Sequence, residues 1–140
     1  MARSTIEEIL IGREWVLADG ATGTNYFSMG LQSGDSPELW NIDHPDRVAS
    51  LHRRFIDAGA DIILTNSFGG TSCRLKLHKS EDRVTELNQA AASLARNEAD
   101  RAEREVVVAG SIGPTGDLLK PLGDLDNSIS GLLLPSVAVQ

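Results

Sequence analysis

Three short stretches hold most of the residues able to do chemistry: Asp19-Gly20-Ala21-Thr22-Gly23-Thr24, Thr65-Asn66-Ser67-Phe68-Gly69-Gly70-Thr71 and Gly110-Ser111-Ile112-Gly113-Pro114-Thr115-Gly116. Each mixes small, hydroxyl-bearing and glycine residues, which lets bare backbone N–H groups come close to a ligand. Asp19 can pair with an ammonium group while the amides after it receive a carboxylate, together holding an α-amino-acid head. The competing reading is that Asp19 caps the next turn and the glycines only shape it. The second and third stretches read equally as tight turns. A phosphate loop is the weaker alternative, because the first stretch has neither GxGxxG nor GK[ST] spacing.

Other candidates offer less. Cys73 is the single cysteine, so no internal disulfide can form, and His78, five residues on, has no second cysteine nearby to complete a metal set. A structural or semi-exposed thiol is the simpler reading. His44 and His52 read as capping or surface residues, and Arg53-Arg54 as the solvated face of a helix. Trp40 reads as a packing anchor for a long loop, or as the wall of a substrate pocket.

The elements that must position these residues alternate. Trp15-Val16-Leu17-Ala18 is a compact apolar run that predicts a buried strand ending at Asp19-Gly20. The connection from Ala21 to His44 is long for a strand-to-helix loop, and such loops are often functional; a short helix is expected around Asn25 to Met29. Pro45 suits a first helical turn, Val48, Leu51, Phe55 and Ile56 follow at helical spacing, and Gly59 supplies a stop. Asp61 to Thr65 predicts a second strand. Ser80-Glu81-Asp82 predicts a capped helix start, with Val84, Leu87, Ala91, Leu94 and Ala95 as its buried stripe. Val106 to Ala109 predicts a third strand.

Strands separated by helices imply a parallel sheet with right-handed crossovers, and the lack of polar alternation implies that both sheet faces are covered. Ligands of parallel α/β folds bind at the carboxyl ends of the strands, where all three polar stretches fall. An open doubly wound sheet and a TIM-type (β/α)8 barrel both fit. A barrel needs roughly 250 residues, so these residues would supply its N-terminal part, about three βα units.

The chain has 140 residues, 41% of them hydrophobic and 24% charged, with a net charge of -7. That balance suits a folded domain and disfavours nucleic acid or an anionic membrane as partner, since both need a basic footprint. No apolar run is long enough to span a bilayer, and the acidic, amphipathic start is unlike a signal peptide. A cytoplasmic location is expected, in keeping with the lone thiol.

Taken in order, these motifs resemble the homocysteine S-methyltransferases. The resemblance rests on Asp19 to Thr24, Glu38-Leu39-Trp40-Asn41, Pro45 leading to His52 and Phe55, Ala58-Gly59-Ala60-Asp61-Ile62-Ile63-Leu64-Thr65-Asn66-Ser67-Phe68, and Gly110 to Pro114. It runs from about Trp15 to Gly123 and carries no assignment of the methyl donor. It implies a (β/α)8 barrel in which zinc turns the homocysteine thiol into a thiolate that takes a methyl group, giving methionine. It also implies that Asp19 holds the homocysteine amino group, that backbone at Gly20, Ala21 and Thr22 takes the carboxylate, and that Thr65, Asn66 and Phe68 line the pocket.

The departures are informative. The family's zinc ligands are cysteines of later strands, one in a Gly-Asn-Cys segment and two adjacent; none is present, and Cys73 matches none of them. Neither a catalytic residue nor a metal ligand is therefore expected here, and the 140 residues alone are expected to be inactive, with an oligomer or a complementing chain as partner. The family pattern extends over residues 1–125. Residues 126–140 lack a helical stripe, as a truncation or frame change near Asp126 would produce.

Overall fold

The computed structural model describes residues 5–124. In chain order the helices are α1 (Ile6–Ile11), α2 (Gly23–Ser28), α3 (Trp40–Asp43), α4 (Pro45–Asp57), α5 (Ser72–Leu75) and α6 (Val84–Arg101); the strands are β1 (Ile62–Leu64) and β2 (Val107–Ala109). Short 3-10 turns fall at Pro37–Leu39, Lys76–His78 and Glu81–Arg83. The 126–140 tail lies outside the described residues.

The two strands pair in parallel, Ile62 opposite Val107, Ile63 opposite Val108 and Leu64 opposite Ala109. On the other side of β1 runs the segment predicted as the first strand. It meets β1 at one bridge, Ala18 with Ile62, and through the Asp19 amide donating to the Ile62 carbonyl at 2.9 Å. The order is thus sequential. Helices α4 and α6 pack against each other and share one sheet face: Ile56 and Ala60 meet Ala95, Ala99, Ile63 and Val106 in one buried cluster. A second cluster, Tyr26, Leu31, Trp40, Val48 and Leu51, roots the long loop onto α4, and Phe55 touches both.

Several expectations need correction. Trp15 to Ala18 is not a buried strand: Trp15 is 70% exposed and Leu17 is also exposed. Strand residues point alternately to opposite faces, so Ile63 meets the helices while Leu64 on the far face is exposed. Among the described residues only the Ile63 face of the sheet is covered, and the first segment is bridged to β1 only at Ala18–Ile62, so little packs over Trp15 and Leu17. The predicted helix at Ser80 begins instead at Val84, after the 3-10 turn. Ser80 makes no side-chain cap, because its hydroxyl donates to the His78 carbonyl at 3.1 Å. Arg53 is not merely solvated; it grips the buried Glu98 with two bonds of 2.9 Å. His52 is neither a cap nor a surface residue but is buried at 3% exposure on α4.

The α4-to-β1 turn is built from local chemistry. Gly59 has φ +106, a left-handed conformation that suits glycine and ends the helix. Arg104, entering from the other side, donates from Nη2 to the carbonyls of Ile56 and Ala60 at 2.7 Å each. It also approaches Asp61, whose carboxylate takes Arg13 and the Leu17 amide. Replacing Arg104 by methionine keeps the aliphatic stem but frees these carbonyls. The expected cost is about 1–2 kcal/mol, seen as a lower urea midpoint; an unchanged midpoint would show the contacts to be inert.

Among the described residues, no helix is long and apolar enough to cross a membrane.

Candidate functional site

The carboxyl ends of the parallel segments open into a cavity of about 440 Å³. Its wall includes Asp19, Gly20, Thr22 and Gly23 from the first polar stretch, and Thr65 to Gly69 from the second. Ser111 comes from the third stretch, Asp35 to Glu38 from the long loop, and Arg74 and His78 from beyond β1. The three stretches singled out by composition therefore do meet.

Asp19 does not cap the turn that follows it. Its Oδ2 accepts the Leu64 amide at 2.9 Å, across the sheet, while Thr22 at the start of α2 makes no side-chain cap. Burial pushes the Asp19 carboxyl above its usual range, and the Leu64 amide pulls it back down. Gly20 lies against the Phe55 ring. Ala21 is exposed and falls outside the cavity wall, its carbonyl taking the Asn25 side-chain amide at 2.6 Å.

Thr65 and Asn66 are buried and structural as well as cavity-lining. Thr65 Oγ1 pairs with the Ser67 hydroxyl at 2.6 Å and accepts the Ser111 amide at 3.0 Å, fastening the second stretch to the third. Asn66 Nδ2 donates to the Pro37 carbonyl at 2.8 Å and to Asn41 Oδ1 at 2.9 Å, fastening the second stretch to the long loop. Phe68 lines the mouth at 59% exposure, and its carbonyl accepts the Gly113 amide at 2.9 Å. A Cβ on Gly113 would sit 2.5 Å from that carbonyl oxygen, so the close approach requires glycine.

Sequence reasoning missed Glu38 as a site residue. It is buried at 5% exposure, accepting the Ser36 hydroxyl at 2.6 Å and the Gly69 amide at 2.7 Å. It ties the loop to the strand end. Its motif neighbour Trp40 is the expected anchor: buried, 5.4 Å from the Tyr26 ring and 5.2 Å edge-on to His44, with Arg47 4.9 Å over its face. Tyr26 is fully buried with its hydroxyl unpartnered, and burial, with Glu38 and Asp19 nearby, pushes its phenol up.

Cys73 is half-buried and does not line the cavity; burial first, and Asp117 second, push its thiol pKa up, away from thiolate character. No group of three histidine, cysteine or acidic side chains is gathered as a metal site among the described residues. A zinc ion of the kind that activates thiols needs three protein ligands around it, so these residues do not fit it.

The family model for homocysteine S-methyltransferase matches residues 16–133. The chain belongs to the homocysteine S-methyltransferase family. It is 31% identical over 129 residues to methionine synthase of Mycobacterium tuberculosis (strain ATCC 25618 / H37Rv), covering 86% of this chain and 11% of that protein. Methionine synthase of Mycobacterium leprae (strain TN) is 33% identical over 117 residues, covering 77% of this chain and 10% of its own length. Among solved structures, the metallated form of the homocysteine methyltransferase MmuM from Escherichia coli superposes with a TM-score of 0.69 at 25% identity, over 79% of this chain and 42% of that one. This member of an enzyme family thus spans about a tenth of the methionine synthases and about two fifths of the solved methyltransferase.

Proposed function

We propose that these residues form the amino-acid-binding side of a homocysteine S-methyltransferase barrel, in which a thiol of homocysteine receives a methyl group to give methionine. The observation that carries the reading is the Asp19 carboxylate, set at the strand ends in the wall of a 440 Å³ cavity. No described cation pairs with it. An ammonium group there gains a charge-assisted hydrogen bond while Leu64 keeps its own. Backbone at Gly20 and Thr22, both in the cavity wall, is the proposed seat of the carboxylate, and Thr65, Asn66 and Phe68 shape the rest. Zinc chemistry, general to the family, needs ligands that the described residues do not provide, so the proposed role of these residues is confined to holding the amino-acid head. Sequential strand order with both long helices on one sheet face supports a barrel wall over a doubly wound sheet. A cytoplasmic, reducing setting suits both the lone Cys73 and a thiol substrate.

Calorimetry with L-homocysteine tests this. The unmodified chain should bind it, and Asp19→Asn should weaken binding on the order of 10-fold to 100-fold. Absence of binding, or an unaffected Asp19→Asn variant, overturns the reading; tighter binding of a sugar phosphate would favour a phosphate site. A second reading, a non-catalytic amino-acid-binding piece completed by another polypeptide, is favoured by the exposed Leu64 on the uncovered sheet face. Methyl transfer by the chain without a partner would exclude it.

A further inference from the structure

The cavity is charged on both signs, and its one guanidinium makes no ion pair. Arg13, Arg53, Arg83, Arg96, Arg101 and Arg104 each hold a carboxylate within 4.0 Å. Arg74, like Arg47 and Arg54, has no such partner among the described residues, but of these three only Arg74 lies in the cavity wall, which also carries Asp19, Asp35 and Glu38. Those acids are engaged elsewhere: Asp19 with the Leu64 amide, Asp35 with the Gln32 amide, and Glu38 with Ser36 and Gly69. Opposite charges thus face one space without meeting. Position favours a defined role, because α5 is capped by Thr71, whose hydroxyl accepts the Arg74 amide, and is rooted by the fully buried Leu75.

We propose that Arg74 is the carboxylate anchor of this cavity, pairing its guanidinium with the α-carboxylate of the amino acid whose ammonium Asp19 holds. The planar fork of arginine matches a carboxylate with two parallel hydrogen bonds. A zwitterion satisfies both walls at once. A phosphate dianion is the poorer match, because it brings a second negative charge into a wall that already carries Asp19, Asp35 and Glu38. Arg74 therefore supplies the charge that backbone amides near Thr22 lack, and it sets preference for a free amino acid over an amine or a peptide-blocked carboxyl.

The inference rests on the amino-acid reading above, and its test separates the two. Binding is measured by calorimetry with L-homocysteine and with 3-aminopropane-1-thiol, the same molecule without its carboxylate. Arg74→Gln should weaken homocysteine binding on the order of 10-fold to 100-fold and leave the aminothiol unchanged, with an unaltered melting temperature because the side chain is exposed. Arg74→Lys should restore part of the loss. Homocysteine binding untouched by Arg74→Gln, or both ligands weakened alike, overturns the role of Arg74 while Asp19→Asn still reports on the amino-acid site. No homocysteine binding by the unmodified chain overturns both.

Discussion

Replacing Glu38 by alanine is expected to lower stability by about 3 kcal/mol and to abolish homocysteine binding. Glu38 is a carboxylate at 5% exposure whose two oxygens are spent on the Ser36 hydroxyl and the Gly69 amide, at 2.6 and 2.7 Å. Hydrogen bonds to a charged acceptor contribute about 1.5–3 kcal/mol each, and removing the acceptor leaves one buried donor, Ser36, and one partly buried donor, the Gly69 amide, unsatisfied. Part of that cost is offset because the carboxylate no longer has to be desolvated. The functional loss comes from position: Gly69 belongs to the strand-end cluster and Ser36 to the long loop, so the bond pair holds two cavity walls together. Glu38→Gln keeps an acceptor for Gly69 and should cost less than half as much. Urea unfolding checks the first effect and calorimetry the second. An alanine variant with unchanged midpoint and affinity would show that the bonds of Asn66 to Pro37 and Asn41 suffice to secure the loop.

Acid is expected to destabilise the chain through His52 well above the pH at which carboxylates titrate. His52 is 3% exposed, its Nε2 is unpartnered, and burial lowers its pKa to about 4, only partly opposed by the charge of Glu98. The unfolded chain carries the ordinary value of 6.5. A lowered histidine pKa means that the unfolded state binds the proton more tightly. The full stability contribution is therefore present above pH 6.5 and is lost as pH falls toward 4. At about 1.36 kcal/mol per pKa unit, the loss by pH 4 is about 3 kcal/mol. Thermal or urea unfolding at steps from pH 7 to pH 4 measures the slope, and His52→Gln should flatten it in that window. A slope that survives the substitution would assign the acid sensitivity elsewhere.

Much of the fold was legible along the chain because it is written in local periodicity. Val48, Leu51 and Ile56 on α4, and Leu87, Ala91 and Ala95 on α6, recur at helical spacing and are all buried. Gly59 stops α4 where expected, and a short helix does form in the long loop. Where periodicity was absent the reading failed. Trp15 to Ala18 looked like a buried strand because an apolar run records composition and not what covers it. His52 looked like a surface residue because a single polar side chain within a helix does not announce which neighbour packs over it.

The opening polar stretches show the same division. Their types and order marked Asp19, Thr65, Asn66 and Phe68 as site candidates and carried the family resemblance, because small residues at strand ends are a local signature. Asp19 could not be told from a turn cap until β1 put the Leu64 amide beside it, 45 residues further on. Glu38 stood in a motif of the family resemblance without any sign that it would be a buried tie, and Arg74, a cation on a one-turn helix, had no signal. Their roles depend on which walls the chain brings face to face. The sequence by itself determined the stripes of the two long helices, the two paired strands, the strand-end candidates and the family. Only the tertiary structure decided which charges are buried, which are paired and which are left for a ligand, because desolvation and pairing are properties of non-local neighbours.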